Sequence, residues 1–407
     1  MKAAVFTGPG QLELREVPTP HASEGELVLK VGANTVCGTD ARILRGEKSA
    51  GVRPGVILGH EIAGYVTEIG RGVEGFEEGD LVGINPTVSC GVCYYCRAGY
   101  EHLCAKAELF GYAIDGGLAE YVLVPREAVA RRAAYKAAPH LTPAEVALTE
   151  PLGCVLNGAD NYQTQPGDTV LVIGAGSIGL LHTMLNRYYG ASQVIVSNRG
   201  ENRRRIAGEL GATHTVDPSA TDLVEYVRSL TDGRGADVVV VCIGRNELFQ
   251  QALECARPKG HVNAFAGFAK GSTSNVDPNL IHYDELVVTG GSNTSRANYE
   301  KALRFIGEGA VNAKALHTHT YKLDDVIEAI EFVQTGEGLK IAVEPCEINV
   351  LGHQAKRKGG NREQRLPPNV PVSSCSRKHK GHVPLPVACS RKHGPTAVAY
   401  TRLTKVI

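Results

Sequence analysis

Four cysteines, Cys90, Cys93, Cys96 and Cys104, stand in the run CGVCYYCRAGYEHLC, and no other feature constrains this chain as strongly. The spacing is C-x2-C-x2-C-x7-C. Zinc takes four soft thiolates in a tetrahedron, and loops this short bring four sulfurs to one point. Free thiols at this density would be open to oxidation, which favours a structural zinc lobe over unliganded cysteines. The alternative is a disulfide knot, which needs an oxidising compartment that nothing else in the sequence suggests. The other seven cysteines, at 37, 154, 242, 255, 346, 375 and 389, are dispersed.

A chain of 407 residues with 43% apolar content has room for about two domains with sizeable cores. It opens MKAAVFTGPG, without the apolar stretch and cleavage site of a secretory leader, and no run approaches the length of a membrane span. A cytoplasmic location is the expectation, with no membrane or nucleic-acid partner. The formal net charge of zero conceals an asymmetry. Residues 351–407 carry twelve Lys/Arg and one acid, Glu363, leaving 31 basic and 42 acidic residues in 1–350.

Residues 1–150 hold short apolar runs (AAVF, ELVLKV, GVILG, EYVLVP) punctuated by GPG, EGE and EEGD, the pattern of a β-rich, irregular domain. After Gln165-Pro166-Gly167-Asp168 the pattern changes to apolar strands alternating with helical segments. DTVLVIG, QVIVS, THTV, ADVVVVCIG and GHVNAFAG read as strands, with helices between them. Such alternation predicts an α/β domain built on a doubly wound parallel sheet. Helices follow around Tyr299–Glu308 and Leu323–Gln334, and KIAVEP reads as a last strand. The expected domains are 1–150, 151–290, a return to the first domain over 291–350, and a tail over 351–407. The tail has six prolines, no periodicity and a near-repeat, SCSRKHKG and CSRKHGP. It reads as disordered, either an uninformative extension or a polyanion-binding arm.

Gly174, Gly176, Ser177, Ile178 and Gly179 belong to GAGSIG, which follows the strand TVLVI and opens a helix. That context makes it a dinucleotide-binding turn. The glycines allow a tight turn, close approach of a pyrophosphate, and close helix–strand packing, while the helix-start amides face the phosphates. About 20 residues on, an acid would bind a ribose 2′-hydroxyl and repel a 2′-phosphate. Here Asn198 and Arg199 stand at that place, so the cofactor is NAD or NADP with a lean toward NADP. Asn198 could still bond a ribose hydroxyl. Arg203, one turn into the next helix, is placed either to stack on adenine or to serve as a surface cation.

Cys37 in VCGTD, His60 and Glu61 in LGHE, and Glu150 in TEPLG have metal-ligand chemistry, although none is specific alone. Together with the cysteine lobe and the nucleotide turn, these motifs resemble the zinc-containing medium-chain dehydrogenase/reductase family, in family order and over about residues 1–345. Glu150 makes the resemblance closer to the polyol (sorbitol-like) and threonine dehydrogenase branch than to simple alcohol dehydrogenases. The resemblance implies a GroES-like β-rich catalytic domain joined to a Rossmann domain, two zinc ions per chain, a small alcohol or ketone substrate, and a homodimer or homotetramer. It also implies that Cys37 and His60 ligate a catalytic zinc, with Glu150 as third ligand, directly or through water, and Glu61 as a nearby carboxylate able to exchange with water. Asp40 would fix the tautomer of His60, and Thr39 would bond the substrate hydroxyl.

Two positions depart from relatives. Arg42 stands where a relay histidine is common, and a guanidinium cannot shuttle protons near neutral pH. Arg42 then binds an anion, or the proton leaves through water. Asn157 also replaces a common histidine. Thr294 and Ser295 align with the arginine–tyrosine pair of sorbitol dehydrogenases, so sorbitol itself is not supported, and Asn293 to Ser295 are candidates for the far wall of the cleft. A zinc-independent reductase, or a non-catalytic relative with the structural zinc only, is the competing reading.

Overall fold

The computed structural model describes residues 1–345; the tail expected over 351–407 lies outside the described residues. Strands from the first 136 residues and from residues 317–344 together build a seven-stranded mixed sheet. It runs Ala134–Lys136, Leu81–Ile84, Glu61–Ile69, Leu27–Thr35, Lys340–Glu344, His317–Lys322, with Tyr121–Val124 also pairing onto Leu27–Thr35. Leu27, Leu29, Val31, Ile62, Val82 and Ile84 fill its core. A three-stranded sheet of Gln11–Glu16, Lys2–Gly8 and Val56–Ile57 lies alongside in sequence, so the expected strand in GVILG shrinks to two residues.

The second sheet is wholly parallel and six-stranded: His214–Val216, Gln193–Ser197, Thr169–Ile173, Ala236–Val241, Ala256–Ala264, Val287–Gly290. Counted along the chain, this is the order 3-2-1-4-5-6 of a doubly wound fold. Its central strands explain the apolar runs. Val170, Val172, Val238 and Val240 face one helical layer, and Leu171, Ile173, Val239 and Val241 face the other, so both faces are buried. The crevice of such a sheet opens at the carboxyl ends of Thr169–Ile173 and Ala236–Val241, where the strand order reverses.

Helix Thr149–Tyr162 joins the halves. The boundary expected at residue 150 falls inside it, because the helix is continuous and nearly all its side chains are buried. Leu152, Val155, Leu156 and Tyr162 share one core with the parallel-sheet residues Val170 and Val172 and with Phe305 and Ile306 of helix Arg296–Gly307. Pro151 is tolerated in the first turn, where its missing N–H would have no intrahelical acceptor. No helix among the described residues is long and apolar enough to cross a membrane.

Candidate active site

Three distant stretches converge on a cavity of about 360 Å³ lined by Cys37, Thr39, His60, Glu61, Glu150, Ser177 and Ile178 among others. Cys37 is the N-cap of helix Gly38–Leu44, in extended backbone, and its amide donates to Asp40 Oδ2 at 2.9 Å. The other carboxylate oxygen of the fully buried Asp40 lies 3.2 Å from His60 Nδ1. That distance gives strong charge attraction, but neither atom sits in a well-aligned hydrogen bond. One carboxylate therefore braces both neighbours. Burial works against a charged His60, but Asp40 and then Tyr112 outweigh it and hold the imidazole's proton affinity well above the ordinary value. Tyr112 meets the His60 ring edge-on at 5.7 Å.

Ligand atoms of Cys37, His60 and Glu61 lie within 4.8 Å of one another. Thiolate, imidazole and carboxylate are a donor set suited to zinc. Glu150 lines the same cavity but falls outside that tight group, and its Oε1 accepts from Cys154 Sγ at 3.3 Å. Burial, opposed by His60 and reinforced by Glu61, raises the Glu150 pKa.

Glu61 is more firmly engaged than the expectation of a water-exchanging carboxylate. It sits opposite Thr35 in the ladder, accepts the Thr35 hydroxyl, and forms an ion pair with Lys340 Nζ at 2.5 Å to each oxygen. Glu61 is 0% exposed and Lys340 3%. Burial disfavours the ammonium, yet Glu61 reverses the balance and raises the Lys340 pKa. Sequence reasoning missed Lys340. A lysine opening a strand looks like a surface residue, and only the pairing of Lys340–Glu344 with Leu27–Thr35 carries it inward.

Of the far-wall candidates, only Asn293 lines the cavity, with Gly291 and Ser292. Thr294 and Ser295 are buried and turned away: Thr294 Oγ1 donates to Ser295 O at 3.1 Å, and Ser295 caps helix Arg296–Gly307. Arg42 is partly exposed and 3.9 Å from Glu47, and a Cβ on Gly267 would lie 3.5 Å from its Nη1. Its guanidinium thus reaches from the Cys37 helix to the loop after strand Ala256–Ala264.

The nucleotide turn borders a second groove of about 700 Å³ that includes Gly176, Asn198, Arg199 and Arg203. Gly174 has φ +110°, a left-handed conformation. A Cβ on Gly179 would lie 1.9 Å from Gly174 O, so helix and strand pack on bare backbone. At Gly176 nothing lies within 4 Å, which leaves the helix start open to a phosphate. Asn198 Oδ1 accepts from Ala175 N at 3.2 Å and its Nδ2 donates to Gly200 O at 3.3 Å, so this amide braces the turn. Arg203, expected either to stack on adenine or to be a surface cation, lines this groove and donates to the carbonyls of Ala175, Gly336 and Gly338, which fix its guanidinium. Arg199 is exposed, with no side-chain hydrogen bond or ion pair among the described residues.

In the cysteine lobe, Cys93 Sγ lies 3.5 Å and Cys90 Sγ 3.9 Å from Cys96 Sγ. Sulfurs 2.3 Å from a tetrahedral zinc would be about 3.8 Å apart, so the lobe fits the ion. Backbone N–H groups of Val92 and Cys93 pull the Cys90 pKa down to about 6, whereas burial pushes Cys104 up to about 11. A larger groove of about 1160 Å³, between this lobe and helix Arg296–Gly307, contains none of the metal-site residues.

The alcohol dehydrogenase GroES-like domain family matches residues 23–134, and the zinc-binding dehydrogenase family matches residues 177–308. The L-threonine 3-dehydrogenase of Pyrococcus furiosus is 37% identical over 337 residues, covering 81% of this chain and 94% of that protein. The sorbitol dehydrogenase of Halalkalibacterium halodurans is 33% identical over 356 residues, 85% of this chain and 100% of that protein. Among solved structures, a Sinorhizobium meliloti protein bound to NADP superposes with TM-score 0.80 at 35% identity, over 84% of this chain and 99% of that one.

Proposed function

The chain belongs to the zinc-binding dehydrogenase family, in the threonine and polyol branch of the medium-chain dehydrogenases, and is an NAD(P)-dependent alcohol dehydrogenase; from that premise we propose that it interconverts a secondary alcohol and a ketone on a polyol, cyclitol or sugar derivative, with NADP preferred. The observation that carries this reading is one cavity lined by a cysteine–histidine–glutamate metal group and by Ser177 and Ile178 of the nucleotide helix.

Cys37, His60 and Glu150, with Glu61 at hand, would hold a catalytic zinc, and Cys90, Cys93, Cys96 and Cys104 a structural one. When bound, zinc would supply a Lewis acid for the alcohol oxygen and the nicotinamide a hydride acceptor. The residues supply the rest. Asp40 orients the His60 ring and Cys37 together. Thr39 carries the hydroxyl proton outward. Arg42 cannot take that proton onward, so the exit runs through water. Lys340 offsets the charge of one carboxylate where three acidic groups crowd. Tyr112, Ser292 and Asn293 supply polar contacts suited to a hydroxylated substrate. At the nucleotide groove, an exposed Arg199 with no acid at the strand tip favours a 2′-phosphate. Strand Val287–Gly290, at the edge of the parallel sheet with Val287 and Val288 exposed, supports a homo-oligomer.

A panel of polyols, cyclitols, sugar phosphates and L-threonine, assayed for cofactor reduction alongside zinc analysis, tests the reading. Turnover of a hydroxylated substrate, faster with NADP, and two zinc ions per chain are expected. One zinc per chain with no turnover identifies instead a relative that keeps the structural ion only.

A further inference from the structure

Helix Thr149–Tyr162 presents Glu150, Cys154, Asn157 and Asn161 at spacings of four, three and four residues, one face of an α-helix. The first two serve the metal-site cavity. The second two grip the backbone of the opposite wall. Asn157, 8% exposed, donates both N–H bonds of one amide, to Ser292 O at 3.0 Å and to Asn293 O at 3.1 Å. Asn161 donates to Gly290 O at 2.8 Å. Between them the chains nearly touch, since a Cβ on Gly291 would lie 2.9 Å from Gly158 Cα. The gripped segment is not relaxed: Asn293 has φ +58°, and its exposed side chain makes no hydrogen bond among the described residues. Gly291, Ser292 and Asn293 line the same cavity as Cys37, His60 and Glu150.

We infer that Asn157 is a positioning residue for the reaction: its amide fixes the Ser292–Asn293 turn at the height from which that wall meets the substrate, and so ties the wall to the helix that carries Glu150. This rests on the functional reading above. An amide suits the task because two carbonyls need two N–H donors on one small group. Histidine would offer one, and aspartate none.

The test compares wild type with Asn157→Ala and Asn157→Asp as holoenzymes, using the best alcohol from the panel. Misplacing a wall by about 1 Å costs up to about 100-fold. In Asn157→Ala, kcat/KM for the alcohol is expected to fall about 10- to 100-fold, with zinc still at two per chain and the NADPH dissociation constant, from its fluorescence, within about threefold. Asn157→Asp, isosteric but turning a carboxylate toward two carbonyl oxygens, should be at least as impaired. Hydrogen exchange at residues 290–294 of the cofactor-free protein should quicken in both variants. A kcat/KM within about twofold of wild type overturns the inference. So does a loss matched by zinc release, an Asp variant more active than the Ala variant, or unchanged exchange. A wild type that oxidises nothing in the panel breaks the functional reading instead, and the exchange measurement still decides the fate of the turn.

Discussion

The two candidate metal-binding constellations of this protein differ in almost every physical respect. The cysteine lobe draws its four donors from residues 90–104, all of one chemical kind, on a projection where Val92, Tyr94 and Tyr100 are exposed. The other constellation gathers Cys37, His60 and Glu61, with Glu150 lining the same cavity, mixes sulfur, nitrogen and oxygen, and is braced by buried Asp40, Thr35 and Lys340. Four identical thiolates close a coordination shell and leave nothing for a substrate, so such a site staples a fold. A mixed set in which Lys340 and Thr35 hold Glu61 leaves three other donors and an open position, and it needs a rigid surround because those three come from distant stretches of the chain. The lobe can be read from spacing because it is local. The cavity is a product of the whole fold.

Substitutions can break or sharpen that contrast. Cys37→Ala should cut turnover by about 1000-fold or more, consistent with losing several kcal/mol of charge stabilisation, and reduce zinc from two ions to one while NADPH binding persists. Steady-state rates, metal analysis and cofactor fluorescence check this, and retained turnover would remove the mixed site from the chemistry. Lys340→Met leaves the buried Glu61 carboxylate without its cation, and breaking a buried pair costs about 3–5 kcal/mol. Urea unfolding should show that loss, and Lys340→Met with Glu61→Gln should recover part of it; equal stability of the single and double variants would deny the coupling.

Cys93→Ser should release the lobe's zinc and lower Tm by several degrees, about 1–3 kcal/mol, with the mixed-site zinc and low-temperature turnover retained. Melting curves with paired metal analysis decide it, and unchanged melting would make the lobe dispensable. The smallest effect belongs to the nucleotide groove. Asn198→Asp keeps an acceptor for Ala175 N but adds a charge facing the 2′-position, so the NADP/NAD ratio of kcat/KM should fall about tenfold, 1.4 kcal/mol. An unmoved ratio would overturn the assignment of cofactor choice to Asn198 and Arg199.

Legibility followed sequence distance. The parallel sheet was plain because each buried strand is a run such as TVLVI or ADVVVV, and the glycine turn because its strand and helix adjoin it. Residues 1–150 were harder. Their strands are uneven: beside nine-residue strands such as Leu27–Thr35, pairs such as Val56–Ile57 carry too little pattern to find. At the cavity, the names of the metal-site residues came from motifs, but their partners did not. Lys340 gave no signal because its burial depends on a strand pairing made some 280 residues from Glu61. Thr294 and Ser295 were misplaced because alignment fixes order and not orientation, and the turn at Asn293 sends the next two side chains inward. The anchoring of Arg203 has no local signal, because its acceptors Gly336 and Gly338 arrive from the far end of the chain.

By itself, then, the sequence determined the donors and their local frames: four thiolates on a short loop, a glycine turn between strand and helix, and the fold class that apolar periodicity enforces. Tertiary structure decided which charges are neutralised and which walls face each other. Helix Thr149–Tyr162 became the common support of metal site and opposite wall, Glu61 acquired its cation, and Asp40 its two clients. The reason is range. Spacing and periodicity act within a few turns of chain, whereas desolvation makes buried charges and carbonyls take whatever partner the packed fold delivers, however distant in sequence.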